Sequence, residues 1–267
     1  MMERILLIMS HGSRSDRWNR AVMDFCADLR QLQEMETVFD RVESCFLEHA
    51  QPSIRDVMER LCAEEKREVV ALPLFLSVGQ HVENDIPELF ETIAKRMGSS
   101  SNGTLYRLHD SRVLFLNPLS PSMLLTENAE RRFLRCQKGM GTTCLALVFY
   151  GSKKFGERWD ELARRVAEEL TIRLRGVAIE FAYGGDAVDF SPDPLAQLLA
   201  RLAREKEQIV VLPELVAVGV LQNQVIPEAI RRANVSEKVI YHRDAILPDV
   251  ALAQCVLNYV KENACLM

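Results

Sequence analysis

Ile5-Leu6-Leu7-Ile8-Met9 runs into Ser10-His11-Gly12-Ser13-Arg14, and Leu145-Ala146-Leu147-Val148-Phe149 runs in the same way into Tyr150-Gly151-Ser152-Lys153. An unbroken apolar run that ends at a glycine reads as a strand covered on both faces, closed by a tight turn. The echo continues downstream: Pro73-Leu74-Phe75-Leu76-Ser77-Val78-Gly79-Gln80-His81 is matched by Pro213-Glu214-Leu215-Val216-Ala217-Val218-Gly219-Val220-Leu221. The chain is therefore a duplication that keeps its glycines and prolines. It holds Tyr150 where the first copy has His11, and Leu221 where the first copy has His81. Both halves need the turns, while only one keeps the imidazoles. The histidines are not a requirement of the fold.

Outward from these strands, the pattern alternates. Ile5–Met9 is followed by a helix over Asp16–Gln33, a strand over Val42–Leu47 and a helix over Ser53–Glu65 entered through Pro52. A strand over Glu68–Phe75, a helix from Asp85 to Arg96, a strand over Val113–Leu116 and a helix over Ser122–Cys136 complete the first copy. Gly98-Ser99-Ser100-Ser101-Asn102-Gly103 reads as a loop, and the stretch from Lys138 to Thr143 as a linker. Strands near 145–149, 177–182, 208–213 and 238–241 repeat the order. Alternating elements imply an α/β fold of two similar domains, 1–139 and 140–267, each a parallel sheet with helices on both faces. In such sheets the ligand crevice lies beyond the carboxyl ends of the strands.

Composition narrows the function classes. The chain has 267 residues, 48% hydrophobic and 27% charged, which suits a water-facing globular protein. No apolar run approaches a membrane span, and the first strand begins too early for a signal peptide, so a cytoplasmic protein is expected. A net charge of −5 argues against nucleic acid and anionic membrane as partners. Seven cysteines without a C-x-x-C pair read as reduced thiols, not as a disulfide frame or a metal cluster.

Three chemically capable residues follow three successive strands: His11, Glu48 and His81. Two imidazoles and a carboxylate suit a divalent metal, and equally suit acid–base work. Aligning Phe46-Leu47-Glu48 on Phe181-Ala182-Tyr183 sets Glu48 against Tyr183, so the whole set is missing from the second copy. His49, His109 and His242 read as structural, since nothing converges on them. The donor set is too sparse for a closed structural zinc site. No G-x-x-x-x-G-K-[ST] loop is present, so ATP use is not expected. Ser13 lacks the G-x-S-x-G elbow of a nucleophile and reads as part of a helix-start turn.

His11-Gly12-Ser13-Arg14, Phe46-Leu47-Glu48, and Pro73-Leu74-Phe75-Leu76 through Gly79-Gln80-His81-Val82 to Asp85-Ile86-Pro87 resemble the sirohydrochlorin chelatases in their two-domain form. The resemblance implies an ATP-independent lyase that inserts Co2+ or Fe2+ into sirohydrochlorin for cobalamin or siroheme synthesis. The metal is then substrate, and no tightly bound cofactor is implied. His11, His81 and Glu48 become the metal-handling and catalytic groups. The polycarboxylate ring calls for cations, for which Arg14 and Arg17 in the first copy and Lys153, Lys154 and Arg158 in the second are the candidates, with Ser13 and Tyr150 as further candidate substrate contacts. Tyr150, Tyr183 and Leu221 are expected to face the macrocycle. The histidine-rich tail and cysteine cluster of longer members are absent, so no redox centre is expected. Alternatives are another tetrapyrrole, nickel, or a non-catalytic metal or tetrapyrrole carrier. A monomer or weak homodimer is expected.

Overall fold

The computed structural model describes residues 2–63, 66–75, 85–96, 105–108, 110–136 and 142–264. His81 and the rest of the 76–84 stretch, with His109, lie outside the described residues. The described chain forms two compact units, residues 1–119 with 248–267, and residues 120–247.

In the first unit, strands β1 (Glu3–Ser10), β2 (Arg41–Phe46), β3 (Arg67–Pro73), β4 (Leu105–Leu108) and β5 (Ser111–Phe115) form one sheet in the order β2-β1-β3-β5-β4. Helices α1 (Asp16–Gln31), α2 (Met35–Val38), α3 (Ile54–Ala63) and α4 (Ile86–Arg96) connect them. In the second unit, α5 (Glu127–Cys136) precedes β6 (Thr143–Phe149), α6 (Gly156–Arg173), β7 (Ala178–Tyr183), α7 (Asp193–Leu202), β8 (Gln208–Pro213), α8 (Ile226–Ala233) and β9 (Val239–Tyr241), and the sheet order is β7-β6-β8-β9. Helix α9 (Val250–Ala264) closes the chain.

Central strands β1 and β6 are apolar on both faces because both faces are covered, and Ile5–Met9 and Cys144–Phe149 are fully buried. In the first sheet Ile5, Leu7 and Met9 pack with Val69 and Ala71 against Ile54, Val57, Met58 and Leu61 of α3 and Ile86 and Phe90 of α4. In the second, Cys144, Ala146 and Val148 meet Leu195 and Leu199 of α7 and Ile226 and Ala229 of α8. Helix α3 starts where expected. The Ser53 hydroxyl accepts from the Asp56 N–H at 3.1 Å and donates to the Asp56 carboxylate at 2.7 Å, which caps the helix.

Two features go beyond the sequence reading. The parallel framework carries an extra edge strand: β4 pairs antiparallel with β5, Leu105 opposite Leu114 and Leu108 opposite Ser111. Four residues after a glycine- and serine-rich stretch give too short a pattern to read. The compact units also close across the expected boundary at 139/140. The sequence repeat ends with α5, yet α5 belongs to the second unit, and α9 belongs to the first.

Each closing helix is tied by one side chain to the equivalent backbone carbonyl. Asn117 and Asp244 both stand four residues before the prolines (Pro121 and Pro248) that precede these helices, and Arg132 and Tyr259 both stand eleven after them. Tyr259 donates its hydroxyl to the Asn117 carbonyl at 3.0 Å, and Arg132 donates Nη2 to the Asp244 carbonyl at 2.6 Å. Arg132 also donates Nη1 to the Pro213 carbonyl at 3.0 Å and lies 3.3 Å from Glu214 Oε1. Arg132 is 2% exposed and Glu214 0%. Leu74, which follows β3 as Glu214 follows β8, is 2% exposed and apolar. Burial drives the Glu214 carboxyl up to about 7, with the Arg132 guanidinium opposing the rise.

Candidate functional site

The order β2-β1-β3 places the switch point of the first sheet between β1 and β3, because the chain leaves β1 toward one side and β3 toward the other. His11 is the first residue beyond β1, and Glu48 is the second beyond β2. The loops stay paired past the strand ends: Leu47 N–H donates to the Ser10 carbonyl and Glu48 N–H to the His11 carbonyl, each at 2.9 Å. Gly12 makes this approach possible. It holds φ +84°, and a Cβ there would sit 2.0 Å from the Glu48 carbonyl oxygen. The glycine is thus needed for the contact that brings the histidine loop against the carboxylate loop.

His11 and Glu48 are brought together, whereas His81 falls outside the described residues. The His11 Nδ1 lies 3.0 Å from the Gly12 carbonyl. Ser13 serves the turn: its N–H donates to Asn19 Oδ1 at 2.9 Å, and its Oγ accepts from the Ser15 N–H at 3.1 Å. Arg14 and Arg17 are exposed at the start of α1.

His49 does not stand apart as its sequence context suggests. Its Nε2 is 3.5 Å from Glu48 Oε2, and its ring centroid is 6.5 Å from that of His11. It adopts φ +60°, the left-handed region, so strand alternation fails at this residue. Glu48 and His49 line a hollow of about 610 Å³ with Asp16, Asn19, Arg20, Met23, Leu47, Ala50, Gln51 and Ser53. A hollow of about 620 Å³ on the outer edge of β2, beside Arg41–Ser44, holds neither histidine.

The second sheet shows what stands at the matching positions. Gly184 N–H donates to the Phe149 carbonyl and Gly185 N–H to the Tyr150 carbonyl, repeating the two bonds made by Leu47 and Glu48. Strand register agrees: Ser10 pairs with Phe46 as Phe149 pairs with Tyr183. The counterpart of Glu48 is therefore Gly185, and Tyr183 corresponds to Phe46. A Cβ on Gly185 would lie 2.8 Å from Tyr150 Cδ2. The Tyr150 ring thus covers the glycine, and packs at 6.3 Å on Trp159 and 5.9 Å on Phe190. Tyr183 donates its hydroxyl to Asp160 Oδ1 at 2.5 Å, and Leu221 is buried within 3.4 Å of where a Gly184 Cβ would stand. Lys153 pairs with Asp189, and Lys154 lies 5.2 Å over the Phe155 ring. These contacts commit Tyr183 and Leu221 to packing within the unit.

Among the described residues no group of three or more His, Cys, Asp and Glu side chains is arranged to hold a metal. None of the described cysteines Cys26, Cys45, Cys136, Cys144 and Cys255 is in a disulfide, and burial pushes the Cys26 and Cys144 thiols up to about 12. Burial therefore keeps Cys26, Cys45 and Cys144 as protonated thiols. Among the described residues no helix is long and apolar enough to cross a membrane.

Against known proteins, the CbiX family model matches residues 5–136. A sirohydrochlorin cobaltochelatase of Sulfurisphaera tokodaii is 31% identical over 88 residues, covering 33% of this chain and 68% of that protein. The chloroplastic sirohydrochlorin ferrochelatase of Arabidopsis thaliana is 29% identical over 150 residues, covering 56% of this chain and 60% of that protein. The chain thus spans little more than half to two thirds of the length of such relatives. Among solved structures, SirB from Bacillus subtilis with Fe3+ superposes with a TM-score of 0.76 at 18% identity, over 98% of this chain and 95% of that one. At that identity the likeness shows the fold alone.

Proposed function

We propose that this chain, which belongs to the CbiX family, inserts a divalent metal, Co2+ or Fe2+, into sirohydrochlorin without ATP. The relatives named as cobaltochelatase and ferrochelatase support the substrate and the reaction class. The observation that carries the reading is the joint difference between the sheets. His11 and Glu48 are held together by the Glu48 N–H to His11 carbonyl bond, and the same bond in the other sheet joins Tyr150 and Gly185. Chemistry was kept on one scaffold and filled in on the other.

In this reading His11 and His81 hold the ion as substrate, at ligand distances of about 2.0–2.1 Å. Two pyrrole protons must leave the macrocycle as the ion enters, and Glu48 or an imidazole accepts them. Binding stays modest, because an ion held by a closed four-ligand set would not transfer. Arg14 and Arg17, exposed beside the His11 turn, offer charge to the ring carboxylates. The reading further takes the protein as cytoplasmic, in keeping with described cysteines that form no disulfide, and as a monomer or weak dimer.

The test is anaerobic mixing of protein, Co2+ or Fe2+, and excess sirohydrochlorin, followed by visible absorption. Turnover beyond one equivalent, lost in His11→Ala, is the expected result. A shift that stops at one equivalent would make the protein a carrier.

A further inference from the structure

His49 stands one residue beyond Glu48, where the register of the second sheet sets Asp186. Glu48 lines the hollow of about 610 Å³ together with His49, while its backbone N–H binds the His11 carbonyl. His11 is not among the residues lining that hollow. Glu48 therefore joins two environments: an open polar hollow with Asp16, Asn19, Gln51 and His49, and the turn that carries His11.

We infer that His49 is a further metal-handling residue, which with Glu48 takes the incoming divalent ion from this hollow and presents it to His11. The inference rests on the chelatase reading and adds to it a route by which the ion arrives. An imidazole and a carboxylate 3.5 Å apart form a two-donor stop. Two donors hold a hydrated divalent ion weakly, as a waypoint must. Two imidazoles sharing one ion at metal–nitrogen distances of about 2.0–2.1 Å place their ring centres about 4.5–6 Å apart, depending on the angle at the metal. The observed 6.5 Å lies just outside that span. His49 is 41% exposed at the side chain, so a small swing of its ring closes the gap without disturbing the core.

The full-length protein tests this with two substitutions that both tolerate the left-handed backbone at this position, His49→Asn and His49→Asp. Asparagine removes the imidazole donor, and aspartate restores a metal ligand of another kind. With Co2+ varied at saturating sirohydrochlorin, His49→Asn is expected to raise KM for the metal on the order of tenfold, and His49→Asp to recover most of it. KM for sirohydrochlorin stays unmoved. Pulsed EPR of the Cu2+-loaded protein, without tetrapyrrole, is expected to show one fewer coupled imidazole in His49→Asn than in the parent. Equal metal KM in parent and His49→Asn, equal loss in both variants, or unchanged imidazole coupling overturns the inference. If the parent fails to turn over sirohydrochlorin, the chelatase reading fails, and the metal-only EPR still decides the role of His49.

Discussion

Replacing Arg132 by Met should unfold the second unit far more readily than any change in the active loops, and the structure says by how much. Arg132 is buried, pairs with buried Glu214 at 3.3 Å, and supplies donors to the Pro213 and Asp244 carbonyls. Removing it leaves a carboxylate without a counter-charge and two carbonyls without donors. Breaking a buried pair from one side costs about 3–5 kcal/mol. The first unit already contains the alternative solution, with Leu74 in place of Glu214 and Tyr259 in place of Arg132. The double variant Arg132→Tyr/Glu214→Leu should therefore recover to within about 1–2 kcal/mol of the parent, since an apolar replacement of a buried pair is close to neutral.

The chain holds two tryptophans, Trp18 in the first unit and Trp159 in the second, so a Trp18→Phe background makes fluorescence report the second unit alone. Equilibrium urea denaturation of parent, single and double variants then gives the coupling. The penalty also carries a pH signature. Glu214 has its folded pKa raised from 4.5 to about 7 by burial, so its contribution to stability is fully present below 4.5 and is lost as pH rises through about 7. Arg132→Met should cost more at pH 8, where the carboxylate is charged, than at pH 6. A single variant that loses less than about 1 kcal/mol, or a double variant worse than the single, would refute the reasoning.

Gly12→Ala combines a positive φ with a Cβ 2.0 Å from the Glu48 carbonyl oxygen, so it should cost at least about 2 kcal/mol and lower chelation, checked by thermal melting beside the activity assay. Gly185→Ala meets Tyr150 at 2.6–2.9 Å and should destabilise the second unit by about 1–3 kcal/mol with His11 chemistry intact, read from Trp159 fluorescence and turnover. Ser53→Ala removes the α3 cap and should cost about 1 kcal/mol in urea with little effect on the rate.

The alternation of apolar strands and amphipathic helices carried most of the fold, because buried parallel strands and their crossovers write long, regular signals. β4 escaped for the opposite reason: an edge strand of four residues has half its environment in solvent and no period to read. The assignment of α5 and α9 to units was also invisible. Helix α9 buries an apolar face, while α5 buries Asn128 and Arg132 beside Ala129 and Phe133. What decides is a long-range set of polar contacts, Arg132 to Asp244 and Tyr259 to Asn117, that no local pattern announces.

The slip between Glu48 and Tyr183 has a sharper cause. Side chains in a strand alternate with period two, so an alignment displaced by two residues keeps every apolar residue on its own face and passes every burial test. Only backbone hydrogen bonds distinguish the two alignments, and they set Gly185 where Glu48 stands. That correction changes the account of how the second site was lost. A tyrosine opposite Glu48 would be one substitution among several, each reversible by itself. A Cβ at 185 would meet the Tyr150 backbone carbonyl at 2.6 Å as well as its ring at 2.8–2.9 Å, so a side chain there needs the turn itself to shift, and histidine at 150 alone would face a position with no carboxylate. Leu221 fills the space beside Gly184 in turn. Restoring metal chemistry to the second sheet thus requires Tyr150→His, Gly185→Glu and Leu221→His together, with each single change expected to lose packing and gain no turnover.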